Sequence, residues 1–287
     1  MRLGRGLKAM TLALLTGALP LLATASAGAA EKFQSYEAVY DIRLVQASST
    51  GGPRAAVGTM EWRFAETCDG WETKTHTVMN LHFSSDAHYL NERFFESLES
   101  KNGRNYSFAV RTIKNDMVEE NFKGKATLDR RGGAAHYELH PLFGQEDDAV
   151  RIVNINLPQG TLFPVAHSQG LVNSAERGSA LYNTVVLNGQ SSVGPRRISI
   201  AIGPRMSGPT TPTTPNVDPK LLDQPSWRLS TAFFNLLERR DTPTTEVFQQ
   251  YHASGVTESF DQTFRDFKIN VQLNRLRRLD PPVCRKK

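Results

Sequence analysis

The chain has 287 residues, of which 39% are hydrophobic, and carries 34 lysines and arginines against 29 aspartates and glutamates. Three of the basic groups precede residue 30 and three follow Cys284, so the body between them has 28 basic and 29 acidic groups. The excess charge belongs to the two ends, and the body lacks the clustered basic face expected of a nucleic-acid binder.

Arg2, Arg5 and Lys8 precede an uncharged run from Ala9 to Ala25, followed by small-residue sites at Ala25-Ser26-Ala27 and Ala27-Gly28-Ala29. This pattern predicts a cleavable secretory signal over residues 1–29. The run is short and broken by Pro20, which argues against an anchor, and no later apolar run could span a bilayer. Cleavage leaves about 258 residues, 30–287, enough for one large β domain or two smaller ones.

Period-two alternation then dominates. It runs through Ala38, Tyr40, Ile42 and Leu44, through Gly58, Met60, Trp62 and Phe64, and from Trp71 to Phe83. Half-buried antiparallel strands read this way. The last segment is long for a strand and predicts a bend or bulge. Further strands are expected around Tyr106–Val110, Ala135–Leu139, Leu181–Leu187, Arg196–Gly203, Trp227–Asn235, Val247–Tyr251, Val256–Phe264 and Phe267–Leu273. Turn signals lie at Thr67–Gly70, Asn102-Gly103, Asn188-Gly189 and Ser254-Gly255. The inward positions are rich in aromatic residues: Trp62, Trp71, Trp227, Phe64, Phe83, Phe233, Phe260 and Phe264. They would line either a solid core or an apolar cleft.

One helix is predicted over Pro164–Arg177. Val165, Leu171, Val172 and Ala175 share a face, and Gly178 is placed to stop it. Residues 203–225 carry six prolines among Thr, Ser and Gly, and read as a mobile surface insertion. The alternative is a polyproline ligand for a partner, through Pro209, Pro212 and Pro215.

Cys68 and Cys284 are the two cysteines of the chain. In an exported protein an isolated pair reads as one structural disulfide, and a bridge spanning nearly every strand favours one domain over two. The search for chemistry is otherwise negative: there is no GxGxxG, Walker loop or HExxH. Gly189–Gly194 has the wrong spacing for a nucleophile elbow and reads as a hairpin turn. Of the seven histidines, His82 with His88 and His136 with His140 could approach, yet no further ligand is marked, so no metal and no cofactor is expected. His167 sits at the helix start, where a structural role is the simplest assignment.

The segment Leu162-Phe163-Pro164-Val165-Ala166-His167, with Leu171 and Ala175-Glu176-Arg177-Gly178, resembles the helix segment of the EipB-like cell-envelope integrity family of bacterial periplasmic proteins. Tyr36–Asp41, Cys68–Trp71, Thr242-Pro243, Gly255-Val256 and Leu279–Cys284 follow the same family's order. The resemblance implies a mainly β fold, a single curved antiparallel β-spiral of about 14 strands with one internal helix, and a disulfide between Cys68 and Cys284. It marks Leu162, Phe163, Pro164, His167 and Gly178 as family positions. Two departures stand out: Asn188-Gly189, where the family has an acidic residue before glycine, and the long stretch 203–225.

The expectation is a non-enzymatic periplasmic protein that supports envelope integrity and stress resistance by binding an envelope partner or component. The alternatives are a carrier of lipid or lipoprotein acyl chains in an apolar cavity, and a hydrolase built around His167.

Overall fold

A computed structural model describes residues 33–48, 51–83, 87–142, 149–210, 215–236 and 242–284. The expected signal segment lies outside them. The chain first runs as an antiparallel meander through β1 (Tyr36–Ala47), β2 (Ala55–Glu66), β3 (Gly70–His82), β4 (His88–Ser100), β5 (Asn105–Lys114), β6 (Met117–Asp129), β7 (Gly132–Leu139) and β8 (Arg151–Leu157). A short β9 (Thr161–Leu162) leads into helix α1 (Pro164–Glu176). A second meander follows: β10 (Leu181–Val186), β11 (Arg196–Met206), β12 (Ser226–Asn235), β13 (Thr245–His252), β14 (Thr257–Thr263) and β15 (Phe267–Arg278).

Pairing of β1 with β15 joins the two meanders into one 15-stranded, strongly curved and nearly closed sheet, with β8 and β9 at the ends of the strand order. The strand beyond the expected count is β9, two residues that pair parallel to β10. The sheet is antiparallel, as expected, save at that one junction. The cause is the immediate turn of the chain into α1, which then returns through β10 alongside β9.

Alternation produces this sheet in an elementary way. Along β1 the inward residues Tyr36, Ala38, Tyr40 and Ile42 are buried, and they face Phe64, Trp62, Met60 and Gly58 of β2. Burying each large apolar side chain contributes about 1.5–3 kcal/mol relative to leaving it exposed. The outward positions Glu37 and Arg63 pair instead as ions. The long segment Trp71–Phe83 carries no bulge: β3 keeps register with β2 and β4 along its length, and the irregularities fall elsewhere, as in β1–β15 and β11–β12. Phe83 lies just beyond β3 and meets the edge of Tyr89 rather than joining the core.

The interior divides into two clusters. The larger joins β1–β3, α1 and β10–β15, and the smaller gathers Phe95, Tyr106, Phe108, Phe122 and Tyr137 from β4–β7. Phe163 belongs to the smaller cluster, fully buried and stacked on Tyr106 at 5.0 Å, whereas Val165 belongs to the larger. The Phe163-Pro164 step is therefore where the chain crosses from one core to the other.

Within the segment 203–225, where composition suggests a mobile appendage, described residues on either side of 211–214 pack onto the body. Gly203–Met206 continue β11, and Val217, Leu221 and Leu222 are buried in the larger core. Its placement has a backbone cause. β14 pairs with β15 only as far as Gln272, leaving the later part of β15 open on that side. Asn216–Asp218 take up the gap: Leu276 N–H donates to Asn216, and Asp218 N–H donates to Leu276, both at 3.0 Å. Pro212 lies outside the described residues.

Cys68, in the β2–β3 turn, is joined to Cys284, after β15, across 216 residues of chain. Because β1 pairs with both β2 and β15, this bond ties together the two neighbours of the central strand.

Candidate functional site

Helix α1 is fixed at both ends by devices of different kinds. At its C-terminus Gly178 adopts φ +77, its N–H donates to Ala175, and Ser179 N–H donates to Ser174, the paired bonds of a Schellman motif. At its N-terminus Pro164 occupies a position where a missing N–H costs nothing. Phe163 precedes it and offers no capping side chain.

The cap comes from far away in sequence. Glu99 of β4 accepts the Val165 N–H at 2.7 Å and the Ala166 N–H at 3.0 Å. Its side chain is buried, and burial pushes the carboxyl up to about 7 although both backbone donors pull it down. Nothing in the local sequence of either element marks this contact. The close approach of β10 to α1 is likewise set by a small residue: a Cβ on Gly170 would lie 2.4 Å from the Tyr182 hydroxyl. The same Tyr182 ring stacks on His167 at 5.6 Å.

His167 is held neutral. Desolvation takes its imidazole down to about 4, and its Nδ1 is shielded from solvent without a hydrogen-bond partner. Among the described residues no carboxylate or hydroxyl is hydrogen-bonded to its ring, so the arrangement of an activated nucleophile is not assembled there.

Beside the first two turns of α1 is an interior cavity of about 250 Å³. Strands β1 and β2 contribute Tyr36, Tyr40, Met60, Trp62 and Phe64; α1 contributes Val165, His167, Ser168 and Leu171; the second meander contributes Gln249, Tyr251 and Phe260. The tyrosines are oriented by the backbone: Tyr36 donates to the Gly255 carbonyl at 3.1 Å, and Tyr40 donates to the Thr257 carbonyl at 2.9 Å. Burial pushes the Tyr36 and Tyr40 phenols well up and that of Tyr251 up to about 12, so all three remain protonated at neutral pH. Among the described residues no charged side chain lines the cavity.

The outer face of the same strands forms a second and larger hollow, of about 880 Å³. It carries Arg63 and Arg277, both paired with Glu37, together with Arg111 and Arg275. Phe94, 39% exposed, stacks on His76, which meets Glu92 at 2.8 Å.

The remaining histidines are dispersed. His82 and His88 do approach, at 6.2 Å between rings, whereas His136 pairs with Asn154. No group of three or more potential metal ligands converges among the described residues. His252 is fully buried against Glu258 at 3.0 Å, and Glu258 also accepts the N–H and hydroxyl of Thr210. That pair anchors the beginning of the Pro-rich segment.

A profile of the EipB-like family matches residues 27–280, nearly the whole chain. The chain belongs to the EipB-like family. A curated relative, the cell envelope integrity protein EipB of Brucella abortus (strain 2308), is 22% identical over 264 residues, covering 88% of this chain and 86% of the relative. The crystal structure of a β-barrel-like protein of a domain of unknown function, also from Brucella abortus, superposes with a TM-score of 0.75 at 20% identity, covering 87% of this chain and 99% of that one. This likeness agrees with the curved, nearly closed sheet.

The structure gives the EipB-like positions physical roles. Leu162 forms half of β9, Phe163 and Pro164 make the step between the cores, His167 packs under Tyr182, and Gly178 closes the helix. Of this set, Pro164 and His167 line the cavity. Leu162, Phe163, Gly178, Cys68 and Cys284 do not. At the departure from the family, Asn188 lines the cavity and its carbonyl accepts the Tyr106 hydroxyl, while Gly189 sits against the Phe108 ring with φ +68. Among the described residues no helix is long and apolar enough to cross a membrane.

Proposed function

We propose that this EipB-like chain is exported, loses residues 1–29, and works in the periplasm as a single-domain, non-enzymatic binding protein that maintains the cell envelope. The name of the curated relative supports the envelope role. The observation that carries the binding reading is the cavity beside α1, about 250 Å³ in volume and walled by aromatic rings, aliphatic side chains and a few uncharged polar groups. Such composition is typical of ligand sites, and the size lies just below the ~300–1,000 Å³ that drug-sized ligands occupy. One acyl chain or one ring suits it better than a two-chain lipid.

Native mass spectrometry of the protein purified from periplasm tests this reading, with Met60→Trp as the comparison because the larger side chain fills the cavity. Wild type should carry a releasable apolar species that the variant lacks. A folded wild type with no adduct, and no binding of any added amphiphile, would remove the reading.

A second reading has its own observation. The outer hollow, with exposed Phe94 beside Arg111 and Arg275, suits a protein partner. Under that reading Phe94→Ala with Arg275→Ala would abolish periplasmic crosslinks to a partner, whereas Met60→Trp would leave them unchanged.

A further inference from the structure

The cavity can be interrogated for the charge of what it accepts. A buried carboxylate or ammonium is strongly disfavoured unless a counter-charge or several hydrogen-bond donors meet it. No lysine, arginine, aspartate or glutamate lines this cavity among the described residues, and the imidazole that does line it is neutral above about pH 4. The phenolic protons of Tyr36 and Tyr40 are already given to backbone carbonyls, so neither is free to receive an anion. The nearest carboxylate to the helix start, Glu99, is committed to the Val165 and Ala166 N–H groups and thereby occupies the donors that would otherwise attract an anion.

What remains for polar recognition is neutral. The Trp62 Nε1–H is buried in the cavity wall with no hydrogen-bond partner among the described residues, and the side-chain amides of Gln249 and of exposed Gln190 line the cavity as well. An amide offers both donors and an acceptor, which suits ester and hydroxyl groups.

We infer that the cavity selects an uncharged single-chain amphiphile, an acyl ester with a hydroxyl-bearing head, and rejects the free fatty-acid anion of the same chain. This rests on the cavity-binding reading above and narrows it to a ligand class. The selectivity would be the reverse of that of a fatty-acid carrier, which needs a basic group at the carboxylate.

The test compares 1-monolauroylglycerol with laurate at pH 8.5 and concentrations below their micelle thresholds, by calorimetry on the full processed chain. The neutral ester should bind at least tenfold more tightly. Met60→Lys, which places an ammonium in the cavity wall, should invert the order; Gln249→Lys serves if the first variant does not fold. Equal affinities in wild type, or tighter laurate binding, would overturn the charge selectivity while leaving the cavity-binding reading intact. If neither amphiphile binds the folded wild type, both fall together.

Discussion

Glu99 and His167 lie at the same helix end, and their linkages to pH oppose one another. In the fold the Glu99 carboxyl is raised by burial to about 7, against roughly 4.3 in an unfolded chain. The folded state therefore keeps a proton that the unfolded chain has released, and stability falls as pH rises from about 4 to 7, by ~4 kcal/mol in all. His167 is lowered by burial to about 4, against roughly 6.5 unfolded. Here the unfolded chain takes up the proton first, so its contribution is complete above about pH 6.5 and is lost as pH falls towards 4, by ~3 kcal/mol. Between about pH 4.5 and 6.5 the two slopes nearly cancel.

Urea unfolding at pH 4.5, 5.5, 6.5 and 8 resolves the two terms. Glu99→Gln, which keeps one acceptor for the helix N–H groups, should expose the histidine slope, so that the variant loses stability relative to wild type as pH falls. His167→Asn should expose the opposite slope. If the difference between either variant and wild type stays constant within ~0.5 kcal/mol across this range, the assignment of that group is wrong.

Three further outcomes are expected. Cys68→Ser opens a bridge across 216 residues; the chain-entropy relation gives about 5 kcal/mol, a melting temperature lower by roughly 10 °C, and the oxidised wild type should show no thiol towards a maleimide probe. Glu258→Ala leaves His252 buried without its partner and frees Thr210; a loss of about 3–5 kcal/mol and faster protease cleavage within 203–225 are expected, read by denaturation and by mass mapping of the fragments. Leu221→Ala should cost about 2–5 kcal/mol, because this fully buried side chain belongs to the core; a cost under ~0.5 kcal/mol would restore the view of the segment as a surface insertion.

Much of the sheet is legible from alternation, and the reasons for the exceptions are specific. β4 escapes because both of its faces are mixed: Leu90, Phe94 and Leu98 face out while Glu99 and Ser97 face in. In β6 the inward positions include Gly124 and Ala126, too small to mark a hydrophobic face, and the first of these gives room to the Phe108 ring. Composition misleads in the Pro-rich segment because three apolar residues outweigh the prolines once β15 offers unpaired backbone beside them. The helix is readable because its apolar face and its terminal glycine are local signals. Its N-terminal cap is not, since Glu99 lies 66 residues before Val165 and only the folded sheet brings them together. The cavity is illegible for the same reason: Tyr40 and Tyr251 read as core residues until α1 is placed between the meanders.

The most direct test of the account is whether filling the cavity removes the activity from an otherwise intact protein. A strain without its own copy, complemented by wild type or by Met60→Trp at equal abundance, is challenged with a membrane-perturbing detergent. Survival should be restored by wild type and lost with Met60→Trp, provided that the variant melts within a few degrees of wild type. Full rescue by a folded Met60→Trp protein would contradict the claim that this EipB-like chain supports the envelope through its interior.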